Sequence, residues 1–252
     1  MGANFSKNYR KPTLNDRYWY PGGNPDLNEE HSTSSELGID YSGNSTEILT
    51  YQAGVTAYRT KIDDWIQWQP GVYGYWEPVN LKEVLSKGIE SFLSFRLSLT
   101  RFSISIGANY TYTSATNMKS FGSSDMSMNK QLVYVPGHKA NAYIKINTGE
   151  FKARYSYSYI GKRYISPDNS IFLPFYRLGD LSLSYAYKKG SQRAEINLFI
   201  ENIWDVEYQA IVYHPMPGRS YFLSIRYFFV KKAEAKAKAE VKKRIRKRYE
   251  EG

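Results

Sequence analysis

Residues 101–114 read RFSISIGANYTYTS, and Phe102, Ile104, Ile106, Ala108, Tyr110 and Tyr112 alternate with Ser103, Ser105, Gly107, Asn109 and Thr111. Side chains on an extended chain point to opposite faces with a period of two, so this segment is a strand with one apolar and one polar face. Such a strand is roughly 35–40 Å long at about 3.3 Å per residue, far beyond the five or six residues common in soluble sheets. It is long enough to cross a bilayer at a tilt. That length constrains the fold more than any other feature of the sequence.

The pattern recurs along the chain. Leu181, Leu183, Tyr185 and Tyr187 share a face in DLSLSYAYKK, as do Ala153, Tyr155, Tyr157 and Tyr159 in FKARYSYSY. IESFLSFRLSL, KANAYIKIN and RAEINLFIEN follow the same rule, and RSYFLSIRYFF places Tyr221, Leu223, Ile225, Tyr227 and Phe229 on one side. With less regular segments near 3–9, 34–43 and 46–61, about ten strands are expected. Gly43-Asn44, Thr100-Arg101, Thr148-Gly149 and Lys189-Gly190 carry the chemistry of tight hairpin turns. Longer links are expected at 10–33, 62–80, 115–132, 161–175 and 207–218. Short turns at one end and long loops at the other are the asymmetry of outer-membrane barrels. A half-buried soluble sheet also alternates, but it has no reason to sort its loops in this way.

Composition supports the same reading. Aromatics make up 16% of the 252 residues, including 24 Tyr, a side chain favoured in strands and at membrane interfaces. Mean hydropathy is −0.56, and no run of 18 apolar residues marks a transmembrane helix. The net charge of +10 is concentrated at the C-terminus, where ten Lys/Arg stand against four Asp/Glu from Lys231 onward, leaving 24 basic and 20 acidic residues elsewhere. The body carries no concentrated basic stripe, so no nucleic-acid partner is expected. The absence of Cys removes disulfides, thiolate zinc sites and Cys nucleophiles. Neither a nucleophile elbow, a phosphate-binding loop nor a His-Glu-x-x-His pair is present, so no enzyme and no cofactor are expected. His31, His138 and His214 are too dispersed in sequence to suggest a metal site. MGANFSKNYRKP lacks the apolar stretch of a signal peptide.

Three stretches carry a family resemblance. FSKNYRKPTLNDRYWYPGGNPDLNEEHSTSSELGIDYS resembles a long extracellular loop with its flanking strands in the C-terminal half of TonB-dependent outer-membrane receptors. INLFIENIWDVEYQ is similar to the penultimate strand of that family, with Asn202, Ile203, Trp204, Asp205 and Tyr208 in the places of an Asn-Leu-Phe-Asp-like turn and its following Tyr. PMPGRSYFLSIRYFF resembles the closing strand, and WEPVNLKEVLSKGIE and LVYVPGHKANA point to the cobalamin-receptor-like branch.

The resemblance implies an all-β chain: an antiparallel transmembrane β-barrel portion of about ten strands over 1–229, followed by a basic helical tail over 230–252. It also implies the outer membrane of a Gram-negative bacterium. Family barrels have 22 strands around a plug, so the missing N-terminal barrel half and plug become expected partners, in the same receptor or a separate chain. Through the plug the TonB system would energise uptake of a large, scarce solute such as a corrinoid or an iron chelate (a siderophore). A barrel that docks a partner protein without transport is the alternative. Phe102, Ile104, Ile106, Tyr110, Leu181, Leu183, Tyr185, Tyr221, Leu223, Ile225, Tyr227 and Phe229 are expected to face outer-membrane lipid. Trp19, Tyr20, Trp65, Trp68, Tyr73, Tyr75 and Trp76 are the loop aromatics expected to capture the solute, with girdle or loop packing as their competing role. In the tail, Ala233, Ala237, Val241, Ile245 and Tyr249 recur every four residues on an otherwise charged helix.

Overall fold

The computed structural model describes residues 1–45, 48–119, 125–190 and 192–228. The expected basic helix and Phe229 lie outside the described residues. In chain order the elements are β1 (Gly2–Arg10), α1 (Leu14–Tyr18), β2 (Glu30–Asn44), β3 (Leu49–Pro70), β4 (Trp76–Ser98), β5 (Phe102–Asn117), β6 (His138–Thr148), β7 (Phe151–Ile160), β8 (Arg163–Tyr164), β9 (Phe172–Leu173), β10 (Tyr176–Lys189), β11 (Gln192–Glu201), β12 (Gln209–Ile211), β13 (His214–Pro215) and β14 (Ser220–Phe228). Ten of them form one sheet in the order β1-β2-β3-β4-β5-β6-β7-β10-β11-β14, every pairing antiparallel. The small β8–β9 and β12–β13 ladders belong to the long loops.

Register makes the two faces continuous across strands. Tyr51, Phe95, Ile106, Ile144, Tyr155, Leu181, Ile200 and Tyr221 follow one another as direct partners from β3 to β14. The next partners along, Leu49, Leu97, Ile104, Ile146, Ala153, Leu183, Leu198 and Leu223, lie on the same face. A one-residue slip anywhere would move a whole strand to the wrong face, so alternation and register enforce each other. The apolar face is not covered by other parts of the chain: Leu223 and Ile225 are each 67% exposed and Ile39 is 57% exposed. The opposite face carries Ser94, Arg96, Ser105, Asn109, Lys145, Arg154 and Ser184. On it Gly107 leaves room for the ring of Tyr143 from the paired strand, and the Arg154 guanidinium sits 4.8 Å above that ring.

The links differ from the sequence expectation at three places. Residues 62–80 are not a loop: β3 and β4 run on as paired strands of 22 and 23 residues, leaving only 71–75 as a turn. The alternation fails there because the faces change over. Ile62 and Val84 share a core cluster with Trp65 and Leu81, three residues further along each strand, and between them Asp64 adopts φ +56°. A two-residue period read straight through Asp64 loses phase. Gly43-Asn44 also stays in strand, with the turn beginning at Ser45, because Gly43 pairs directly with Tyr51. The link expected at 115–132 instead spans 118–137, since β5 continues to Asn117. Gly149 (φ +51°) and Gly190 (φ +60°) do occupy tight turns, in the left-handed region where glycine carries no Cβ penalty.

The buried core lies at the loop end of the sheet. Ile62, Leu81, Val84 and Ala115 pack with Leu132 from the 118–137 loop, flanked by Trp65, Val79 and Val135. Because the apolar side of the sheet is uncovered, this core forms where a loop folds over the strand ends.

Candidate functional site

The loop between β1 and β2 is built around one carboxylate. Thr13 is the N-cap of α1, and its hydroxyl accepts from the Asp16 amide at 3.1 Å. In return the Asp16 carboxylate accepts from the Thr13 amide and hydroxyl, both at 2.8 Å, which closes a capping box. The same buried carboxylate accepts the indole N–H of Trp68 at 2.8 Å and lies 3.7 Å from Arg10. Burial pushes the Asp16 pKa up, but the donors from Thr13 and Trp68 and the charge of Arg10 together outweigh it and hold the group below its ordinary value.

Beside it Arg10 grips Glu30 with two bonds of 2.6 and 2.7 Å, and Glu30 also accepts from the Ile66 amide at 2.7 Å. The bond to Glu30, outweighing burial, raises the Arg10 pKa. Asn28 and Asn80 exchange bonds, and Asn24 donates to the Pro78 carbonyl. Residues 11–29 are thus fastened to the extended β3–β4 hairpin by the charge-assisted Trp68–Asp16 bond and by the neutral bonds of Asn24 and Asn28. From the other loop, Val133 accepts from Gln67 of the same hairpin. The hairpin stands between two loops.

This arrangement divides the seven loop aromatics. Trp68 holds Asp16, Trp65 packs against the core cluster, and Trp76 lies 5.5 Å from the Tyr134 ring. Tyr20 is 92% exposed and Tyr73 77% exposed, with Trp19 also open to solvent. Tyr73 and Tyr75 stack at 6.0 Å on the hairpin tip, and Gly22 sits close enough to Trp76 and Tyr75 that no side chain would fit. The structure therefore brings Trp19, Tyr20, Tyr73 and Tyr75 towards one apex and uses Trp65 and Trp68 to support it. Sequence alone does not separate these roles, because every one of the seven is an aromatic in a predicted loop.

A second concave feature has no counterpart in the sequence reading. The 161–175 and 202–219 loops enclose a cavity of about 660 Å³ lined by Phe175, Tyr176, Asp205, Glu207, Tyr208 and Met216. Tyr176 and Tyr208 lie 4.5 Å apart, and the buried Arg163 guanidinium is 4.7 Å from Tyr176 while donating to the Pro174 and Gln209 carbonyls. Desolvation lowers the pKa of Arg163.

The Asn202-Ile203-Trp204-Asp205 motif and the Gly218-Arg219 motif meet next to this cavity. Asn202 is buried with φ +48° and brackets Val206 by bonding both its amide and its carbonyl. Asp205 accepts from the Arg219 amide at 2.8 Å, in space that the missing side chain of Gly218 leaves free. Trp204 lies across Gly179 against Tyr155 and Tyr157. Among the described residues, no group of three His, Asp or Glu side chains could hold a metal ion; His138 bonds Tyr110 at 2.7 Å.

A family model described as TonB dependent receptor-like, beta-barrel, matches residues 2–203. The vitamin B12 transporter BtuB of Photobacterium profundum is 27% identical over 233 residues, which is 91% of this chain and 35% of that protein. BtuB of Vibrio vulnificus is likewise 27% identical, over 90% of this chain and 34% of its own length. The chain therefore spans about a third of the curated relatives it matches. Among solved structures, the copper transporter OprC superposes with a TM-score of 0.63 at 16% identity, covering 90% of this chain and 36% of that one. BauA, the ferric preacinetobactin receptor from Acinetobacter baumannii, gives 0.60 at 18% identity, over 90% of this chain and 34% of that one. At such identities these two structures speak for the fold.

Proposed function

Because this chain belongs to the TonB-dependent receptor-like β-barrel family, we propose that it forms the C-terminal wall of an outer-membrane receptor that takes up a large, scarce solute. The observation that carries this reading is the uncovered apolar face, continuous in register over the eight strands from β3 to β14 and backed by a polar face. In water such a face would be an aggregation surface; in a bilayer it is the lipid-facing wall, and the polar face lines the lumen. Phe102, Ile104, Ile106, Tyr110, Leu181, Leu183, Tyr185, Tyr221, Leu223, Ile225 and Tyr227 then meet lipid. Within the described sheet β1 and β14 each have one partner only. Unpaired edge amides in lipid cost several kcal/mol each, so further strands close the wall, with a plug inside it linked to the TonB system.

The long-loop end faces outwards and receives the solute. Flat amphipathic rings on a rigid hairpin suit a broad ligand with mixed polarity, and the vitamin B12 transporters that align with the chain make a corrinoid the first solute to test. The test is equilibrium binding of cobalamin to the complete receptor, with Tyr20→Ser and Tyr73→Ser combined. Both side chains are largely exposed, so their loss leaves the fold intact. Losing two aromatic contacts should weaken binding by about tenfold or more. Unchanged affinity for cobalamin and for iron chelates alike would remove the apex from the capture surface.

A further inference from the structure

We propose that the cavity between the 161–175 and 202–219 loops binds the alkylated ammonium group of a small molecule, with the rings of Tyr176 and Tyr208 as its seat and Glu207 as its counter-charge. The site goes beyond solute capture at the aromatic apex and shares no residue with it. Phe175, Tyr176, Tyr208 and Met216 supply much of the lining, Asp205 and Glu207 are its charged members, and no Lys or Arg lines it. The two carboxylates are not equivalent. Asp205 is engaged, accepting from the Arg219 amide at 2.8 Å with its other oxygen 4.0 Å from the Arg219 guanidinium. Among the described residues, none bonds to the carboxylate of Glu207. Aromatic faces attract a cation within about 6 Å of the ring centroid, and an alkylated ammonium, which donates few or no hydrogen bonds, gains most from rings beside a carboxylate.

The chain already uses this chemistry once. The buried Arg163 guanidinium lies 4.7 Å from the Tyr176 centroid, with no carboxylate partner among the described residues. By donating to the Pro174 carbonyl of one loop and the Gln209 carbonyl of the other, it ties the two walls together. The Met216 amide donates to the Tyr208 carbonyl at 3.1 Å, which fixes the far lip. A cavity braced in this way loses little free energy to reordering when a ligand enters. Burial first, and then the negative charge of Tyr176, Asp180 and Glu201, raises the pKa of Tyr208, in keeping with surroundings that favour a cation. The volume of about 660 Å³ falls within the roughly 300–1,000 Å³ of small-molecule sites. The ammonium head therefore fills one part of it and the body of the molecule the rest.

The receptor containing this chain, in a maltoside detergent free of ammonium headgroups, is titrated with choline and with its uncharged isostere 3,3-dimethylbutan-1-ol, and affinity is read by ligand-observed saturation-transfer NMR. Choline should bind about tenfold more tightly than the alcohol. Loss of the exposed Glu207 charge in Glu207→Gln should weaken choline about threefold, and loss of a ring in Tyr208→Leu about tenfold. Tyr208→Phe, which keeps a ring, should retain most of the affinity and report on folding. Glu150→Gln removes the same charge at the tight-turn end of the sheet and should change nothing. Equal affinity for choline and the alcohol, equal weakening by Glu150→Gln, undiminished binding in Tyr208→Leu, or no binding of choline at all would overturn the ammonium site while leaving the membrane wall and its apex standing.

Discussion

Trp68→Phe separates the supporting role of this residue from a ligand-binding one. The substitution keeps an aromatic ring on the hairpin and deletes the 2.8 Å indole N–H bond to Asp16. A hydrogen bond to a charged group is worth about 1.5–3 kcal/mol. The remaining donors to Asp16, from Thr13 and more distantly Arg10, hold the capping box but do not tie it to the hairpin. Opening of the 11–29 loop should therefore become easier by roughly 10- to 150-fold. Amide hydrogen exchange reads this directly, since Arg17, Trp19, Gly23 and Asn24 donate backbone bonds inside the loop. Exchange at these amides should accelerate while β5 to β7 stay as protected as before. A double substitution with Asp16→Asn should cost less than the sum of the two single changes. Unchanged exchange in the loop, or acceleration spread evenly over the sheet, would refute the clamp.

Three further outcomes follow from the same contacts. Asp16 is held below its ordinary pKa, so its contribution to the loop is complete above the unfolded value near 3.9 and fades as pH falls through the lower folded value; pepsin cleavage within 11–29 should rise on acidification in the native chain and be pH-flat in Asp16→Asn. Ile104→Arg on the apolar face should cost about 2–4 kcal/mol in a bilayer, whereas Asn109→Arg, exposed on the polar face, should be tolerated; equal costs in a refolding titration would point to a soluble sheet. Removal of residues 230–252 should leave insertion of the wall unimpaired, and loss of insertion, read by heat-modifiable gel mobility, would make the tail part of the fold.

The wall was legible because its determinant is local. A period of two over ten or more residues, bounded by Gly-containing turns, specifies each strand, its faces and its neighbour without reference to distant sequence. The hairpin at 62–80 was not, because one left-handed residue, Asp64, inverts the phase and makes paired strand look like loop. The roles of the loop aromatics were less legible: aromatic density singles out segments but not what each ring does, and the supporting contact of Trp68 depends on Asp16, which lies 52 residues away. The cavity between the 161–175 and 202–219 loops depends likewise on chain segments brought together only by the fold. Family motifs did mark one of its edges, since Asp205 and Gly218-Arg219 are the residues that join.

The central claim is that one face of this sheet lies in lipid and the other does not. Nitroxide labels placed singly at each position from Phe102 to Thr113 of β5, in membranes containing the receptor, test it through collision rates with oxygen and with a water-soluble nickel chelate. Oxygen accessibility should peak at Ile104, Ile106, Ala108 and Tyr110 and fall at Ser103, Ser105, Gly107 and Asn109, a period of two in phase with the apolar face. Accessibility without that period, or nickel contact at both sets of positions, would contradict the account.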